Sequence, residues 1–156
     1  MAFTLEYPKS MKLEVELNDK IKSGMKKNFV FDAVEKAIKG SRSKFLEEKN
    51  ISVSVAVVNA EEIRRLNRIY RKKDAVTDIL SFSEHKSKAE FEAMGDRNIF
   101  LGELILCYNE IERYAREKNI NLEKELTTVI AHGALHLLGF SHGRAMFGIQ
   151  NKLWTE

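Results

Sequence analysis

Residues 121–142 read NLEKELTTVIAHGALHLLGFSH, a stretch that holds a helix, its end and three of the four histidines in the chain. Asn121 precedes an amphipathic segment and predicts a helix over 122–138; Lys124 at the N3 position gives a cap without the reciprocal acid of a capping box. His132 and His136 project from one face of this helix about 6 Å apart along its axis, close enough to bind one ion through imidazole nitrogens. His142 lies further on, and at ~100° per residue a continuing helix carries it to the opposite face. Gly139 removes that conflict, because a residue without a Cβ takes the left-handed conformation that ends a helix and turns the chain back. The spacing H-x-x-x-H-x-x-G-x-x-H is therefore a three-histidine ligand set at a helix end. It leaves a fourth tetrahedral position open for water, as a catalytic zinc site does.

Upstream, Met11, Leu13, Val15 and Leu17 alternate with polar residues, as do Ile51, Val53, Val55 and Val57, the period-two pattern of half-buried strands. Between them Phe31, Val34, Ile38 and Phe45 predict a helix that Gly40 weakens or ends. Asn59 with Glu62 at N3 predicts a capping box on a short helix whose apolar stripe is Ile63, Leu66 and Tyr70. Residues 78–82 (DILSF) and 99–107 (IFLGELILC) read as two further strands, separated by a polar loop over 83–98. Asn109 with Glu112 at N3 predicts a capping box heading a helix over 110–118, and Met146, Phe147, Ile149, Leu153 and Trp154 bury a last short helix. The fold class is α+β: a mixed sheet of about four strands with helices packed on it.

The 156 residues are expected to form a single domain, 1–156, large enough to bury a core without a structural metal, so any metal is functional. The only cysteine, Cys107, excludes an internal disulfide and with it the disulfide-stapled secreted class. The longest apolar run, Leu104 to Tyr108, is far short of the ~20 residues of a membrane span, and MAFTLEYPKS carries no apolar leader core. A soluble, cytoplasmic protein without a membrane partner is expected. The net charge of +3 does not by itself imply nucleic acid, yet Arg64, Arg65, Arg68, Arg71, Lys72 and Lys73 cluster without an intervening acid. A second cluster, Lys20, Lys22, Lys26 and Lys27, reads as a solvated face.

The histidine spacing is shared with zinc peptidases, in which a Glu directly after the first His acts as general base. Here that position is Gly133, so the peptidase reading loses its base. A metal that lowers the pKa of bound water toward ~7 and polarises a phosphoryl oxygen needs less help from such a base, which favours a phosphodiester substrate.

With these features the sequence resembles the YbeY family of bacterial metal-dependent endoribonucleases. HGALHLLGFSH (132–142) resembles the family's H-G-x-L-H-L-x-G-Y/F-D-H. LNRIYRKKDAVTDILSF (66–82) resembles L-N-x-x-Y-R-x-K-D-x-P-T-D-V-L-S-F, and LGELILC (101–107) resembles L-G-D-I-x-I-C. The resemblance implies a zinc-dependent endoribonuclease specific for single strands, acting in ribosomal RNA maturation and ribosome quality control. It implies one Zn2+ per chain on His132, His136 and His142, and a catalytic arginine at Arg71. Ribosomal RNA and the small ribosomal subunit are the implied partners, with no DNA specificity. An arginine fork suits a phosphate, and Arg64, Arg65, Arg68, Lys72 and Lys73 would hold an RNA backbone by charge.

The chain departs from the family at Ser141, where the family has an Asp able to orient a ligand histidine, and at Val76 and Ser83, where it has prolines. Glu103 stands for a family Asp and is either a polar group facing the cleft or a solvent-facing strand residue; with Ser141 it completes the candidates around the metal. Thr77 and Asp78 are expected to shape a turn, and Cys107 to pack rather than ligate. No role is assigned to His85, and no general base is identified. The alternatives are a ribosome-assembly binding factor with residual catalysis, favoured by Ser141, and a zinc peptidase, disfavoured by Gly133.

Overall fold

The alternating segments fold as the strands their period requires. The computed structural model describes residues 11–85, 88–93, 95–141 and 143–152. In chain order these form β1 (Lys12–Asp19), α1 (Lys27–Ser41), a 3-10 turn (Lys44–Leu46), β2 (Asn50–Val58), α2 (Ala60–Arg71) and β3 (Ile79–Ser83). There follow α3 (Lys88–Ala93), β4 (Asn98–Cys107), α4 (Tyr108–Lys118), α5 (Leu122–Leu137) and α6 (Arg144–Lys152). The sheet order is β1-β2-β4-β3, with β1, β2 and β4 parallel and β3 antiparallel on the edge beside β4. The chain is thus α+β with a mixed four-stranded sheet.

Strand β2 lies between two layers, which is why its apolar run is almost continuous. Ile51, Val53, Val55 and Val57 face α1 and α5 in the larger core, with Val30, Ile38, Ile130 and Leu135. Ala56 and Val58 face the other way, into a smaller core with Ile63 of α2, Leu80, Ile105 and Cys107. Strand β4 carries a bulge: Ser52 pairs with Phe100 and Val53 with Gly102, leaving Leu101 as the extra residue. Gly102 sits at φ 141°, a conformation open to glycine, and a Cβ there would run into the Phe82 carbonyl.

Helix α5 lies close against β3 and β4 because Gly133 has no side chain. A Cβ at that position would stand 2.5 Å from Ile79 Cδ1 and 3.0 Å from Leu104 Cδ2. The helix stops as its sequence demands. Gly139 is at φ 94°, its N–H donates to the His136 carbonyl at 3.0 Å, and the Phe140 N–H donates to the Leu135 carbonyl at 3.1 Å. That pair of bonds is a Schellman motif.

Several local expectations are corrected. Asn59 does cap α2, its Oδ1 accepting the Glu62 N–H at 2.8 Å, but the Glu62 carboxylate turns to the Arg65 guanidinium instead of closing a capping box. Asn109 is not a cap: α4 begins at Tyr108 directly from β4, with Cys107 in the cap position. Gly40 does not break α1, which runs to Ser41 and ends at Arg42 in a left-handed conformation, while Phe45 belongs to the 3-10 turn. The loop over 83–98 contains α3. Tyr70 is 59% exposed and Asn67 takes its place in the buried face of α2, its amide donating to the Ala75 carbonyl at 2.9 Å. In α6, Met146 is buried but Phe147 is exposed; Leu153 and Trp154 lie outside the described residues.

Gly133→Ala is expected to cost about 1–3 kcal/mol through overpacking against Ile79 and Leu104, lowering the midpoint of thermal unfolding by several degrees. Gly148→Ala, in α6 with open space at its Cβ position, should instead be neutral or stabilising by up to about 1 kcal/mol. Differential scanning calorimetry on the two variants compares a packed glycine with an unpacked one.

Candidate metal centre and nucleic-acid cleft

The helical period of α5 places Glu125, Thr128, Val129, His132 and His136 on one stripe beside the face that meets the sheet. Together with Asn67 and Arg71 of α2, Asp78 to Ser81 around β3, and Gln150 of α6, this stripe walls a cleft of about 660 Å³.

The two helical histidines converge, their Nε2 atoms 3.0 Å apart. His136 Nδ1 lies 2.9 Å from the Phe140 carbonyl, which can only accept, so Nδ1 carries the proton and Nε2 presents its lone pair. On the other side the Gln150 amide donates to His132 Nδ1 at 3.2 Å, and His132 Nε2–H is then the donor toward His136. The pair fits a divalent ion. Two imidazole nitrogens at ~2.0–2.1 Å from a tetrahedral zinc stand about 3.3 Å apart, close to the separation seen. Binding needs the His132 proton moved to Nδ1, and the amide of Gln150 can turn its oxygen to accept it there. The expected third ligand, His142, lies outside the described residues, and among the described residues no group of three His, Cys, Asp or Glu side chains is assembled for a metal.

Arg71 also lines the cleft. Its Nη2 donates to the Ser81 carbonyl at 2.6 Å, and its guanidinium carbon lies 4.8 Å from the centre of the Phe82 ring. Lys73 joins it on the cleft wall. Their basic neighbours are placed differently. Arg64 makes two hydrogen bonds to Asp74, at 2.9 and 3.2 Å, and Arg68 stands 3.7 Å from the same carboxylate. Arg65 is bound to Glu62 at 2.7 and 3.0 Å. The guanidinium of Arg64 holds the Asp74 carboxyl below its usual range, and that of Arg65 does the same to Glu62. Lys72 is exposed in the left-handed cap that ends α2.

The two residues expected beside a metal, Ser141 and Glu103, are not among those that line the cleft. Ser141 is exposed on the turn after α5. Glu103 pairs with Ser54 and Phe82 and lies on the α2 face of the sheet, opposite the histidines, so its reading as a cleft residue is corrected. Cys107 is buried on that face too, and burial pushes its thiol pKa up, away from the thiolate a metal would need.

Three cleft residues were given no chemistry by the sequence. Gln150 gave no local sign, since only the docking of α6 brings it to His132. Glu125 lies two helical turns before His132, so periodicity could have placed it on the stripe. Burial raises its carboxyl pKa, and Asp78, itself expected only to shape a turn, adds to the rise. Asp78 Oδ1 accepts the Ile79 N–H at 2.7 Å.

A family model described as Endoribonuclease YbeY matches residues 15–155. The chain belongs to the YbeY family. It is 37% identical over 111 residues to the Endoribonuclease YbeY of Macrococcus caseolyticus, covering 68% of this chain and 71% of that one. Against the Staphylococcus aureus protein of the same name identity is 31% over 137 residues, covering 84% of this chain and 88% of the relative. Among solved structures, the solution structure of a Thermotoga maritima protein superposes with a TM-score of 0.58 at 28% identity, over 90% of this YbeY-family chain and 86% of the other.

The raised pKa of Glu125 has a stability consequence. A carboxyl whose folded pKa exceeds its unfolded value of 4.5 favours the fold while protonated, and that contribution is lost as pH rises through the folded value. Glu125→Gln, held neutral at every pH, should therefore be more stable than wild type at pH 7 in the presence of chelator, and the difference should vanish below pH 4.5. Urea titrations at the two pH values check it.

Proposed function

We propose that this protein is a zinc-dependent endoribonuclease that cuts single-stranded segments of ribosomal RNA during maturation of the small subunit and ribosome quality control in the cytoplasm. Membership of the YbeY endoribonuclease family makes it a hydrolase acting on RNA; the metal, the strand preference and the ribosomal setting are our reading. The observation that carries it is the convergence of His132 and His136 Nε2 in the same cleft as the Arg71 guanidinium.

His132, His136 and His142 would hold one zinc ion, which when bound supplies Lewis acidity and an acidified water. The chain's own groups supply the rest. Phe140 and Gln150 hold the two imidazoles from behind, fixing ring orientation. Arg71 is braced by the Ser81 carbonyl and the Phe82 ring, so its remaining N–H donors meet a phosphate without first being ordered. Lys73 adds charge on the substrate path. Glu125, whose carboxyl pKa burial raises, is the cleft carboxyl placed to take a proton. A peptidase base at position 133 has no room, since Gly133 faces the sheet. The second reading, an assembly factor with residual catalysis, draws on Ser141 in place of the family Asp.

Quantifying bound metal, then incubating the protein with single-stranded and duplex RNA with and without chelator, tests the proposal. Chelator-sensitive cleavage of single strands is expected, and binding without cleavage selects the second reading. His132→Ala, His136→Ala and His142→Ala should each lose most of the metal by elemental analysis. Gln150→Leu should keep the ligands but weaken metal binding about 10-fold or more in chelator competition.

The basic residues should separate kinetically. Arg71→Ala is expected to lower kcat about 100-fold with a smaller change in KM. Arg65→Ala should leave kcat intact and lower the salt slope of RNA binding by about one unit.

A further inference from the structure

Tyr70 has the ring of a core residue in the position of a surface one. Helical period places it in the apolar stripe of α2, yet it is 59% exposed, in the last turn before Arg71. Its ring meets Phe82 at 5.4 Å between centroids and 73° between planes, an edge-to-face contact. Phe82 in turn carries the Arg71 guanidinium at 4.8 Å. An edge-to-face neighbour can cover at most one face of Tyr70, and the exposure leaves the other toward solvent. The neighbours are cationic: Arg71 and Lys73 on the cleft wall, Lys72 between them. An exposed aromatic face braced by a second ring and flanked by cations is what an unpaired nucleobase needs, since stacking supplies the contact and the cations hold its phosphates.

We propose that Tyr70 is a nucleobase-stacking subsite, taking an unpaired base next to the phosphate held by Arg71. The inference rests on the endoribonuclease reading and deepens it: a base inside a duplex has no open face to offer, so the subsite would select single strands. The adjacency is right for one nucleotide, as successive residues stand ~3.8 Å apart at Cα and their side chains diverge. Charge complementarity favours RNA over an apolar protein partner, which would leave the cations around the ring unmatched.

The test uses the full chain in chelator, so that RNA is bound without being cut. The probe is a short single-stranded RNA carrying 2-aminopurine, whose fluorescence falls when the base stacks; inorganic polyphosphate serves as the charge-only probe. Tyr70→Leu and Tyr70→Ala should bind the RNA about tenfold or more weakly and lose the quenching. Tyr70→Phe and Tyr70→Trp should retain both, and polyphosphate binding should stay unchanged in all four. Tyr70→Leu binding and quenching as wild type overturns the subsite and leaves the ring to packing or to a protein partner. A parallel loss of polyphosphate binding also overturns it, because Tyr70 would then act by holding α2 in shape. If wild type binds and cuts RNA while Tyr70→Leu is indistinguishable from it, only the subsite fails. If wild type binds no RNA, the endoribonuclease reading fails and takes the subsite with it.

Discussion

The close seating of α5 on the sheet at Gly133 is the contact on which the rest of the site depends. Thr127, Thr128, Val129 and Gly133 are poor helix formers, so α5 is held by what it buries more than by its own propensity. Leu126, Ile130, Leu135 and Leu137 all enter the larger core, at roughly 1.5–3 kcal/mol for each fully buried side chain. With the glycine flat against Ile79 and Leu104, the flanking stripe comes up beside β3. The cleft is the space between that stripe and the strand edge. Because β3 is the outermost strand, α2 can reach round it from the opposite face, and Arg71 meets the Ser81 carbonyl there. Two groups from opposite sides of one sheet thus reach one cavity.

The end of the same helix does a second job. The Schellman turn at Gly139 satisfies the last carbonyls of α5 and in doing so swings the Phe140 carbonyl under His136. A stop that exists to close a helix therefore decides which imidazole nitrogen carries the proton. Ser83 adds to this end, its hydroxyl shared between the His85 carbonyl at 2.6 Å and the Leu137 carbonyl at 3.3 Å. The proline that the family resemblance leads one to expect there could not donate that bond.

What could be read from the chain is what its local periods encode. Alternation marked β1 and β2, the apolar run marked β4, and the spacing around Gly139 marked the helix, its stop and the convergence of His132 with His136. What could not be read came from pairings between distant segments. The bulge at Leu101 is the clearest case. Counting by twos from Ile99 puts Glu103 on the α5 face with Leu101, but the extra residue reverses the alternation and sends it to the α2 face. Likewise α4 leaves β4 without a loop, so Asn109 had no cap position to fill, and Asn67 displaced Tyr70 from the buried face because its amide satisfies the Ala75 carbonyl. Gln150 needed the placement of α6, which no period in 144–152 specifies.

The basic run shows why like charges in sequence need not do like work. Asp74 and Glu62, just outside the acid-free stretch, draw Arg64, Arg68 and Arg65 into exposed pairs on the outer side of α2. Such pairs are worth only ~0–1 kcal/mol, so a phosphate can replace either carboxylate at little cost, and these arginines stay available to an approaching polyanion. Until then the pairs lower the local field and hold the forks away from the cleft. Among the described residues Arg71 has no carboxylate in that role; a carbonyl and a ring hold it, and neither cancels its charge. Among the described residues, Arg71 and Lys73 thus stand on the cleft wall without a carboxylate partner, and the paired arginines stand outside it. That arrangement concentrates positive charge on the wall of the cleft that His132 and His136 also line, and leaves the outer side of α2 close to neutral.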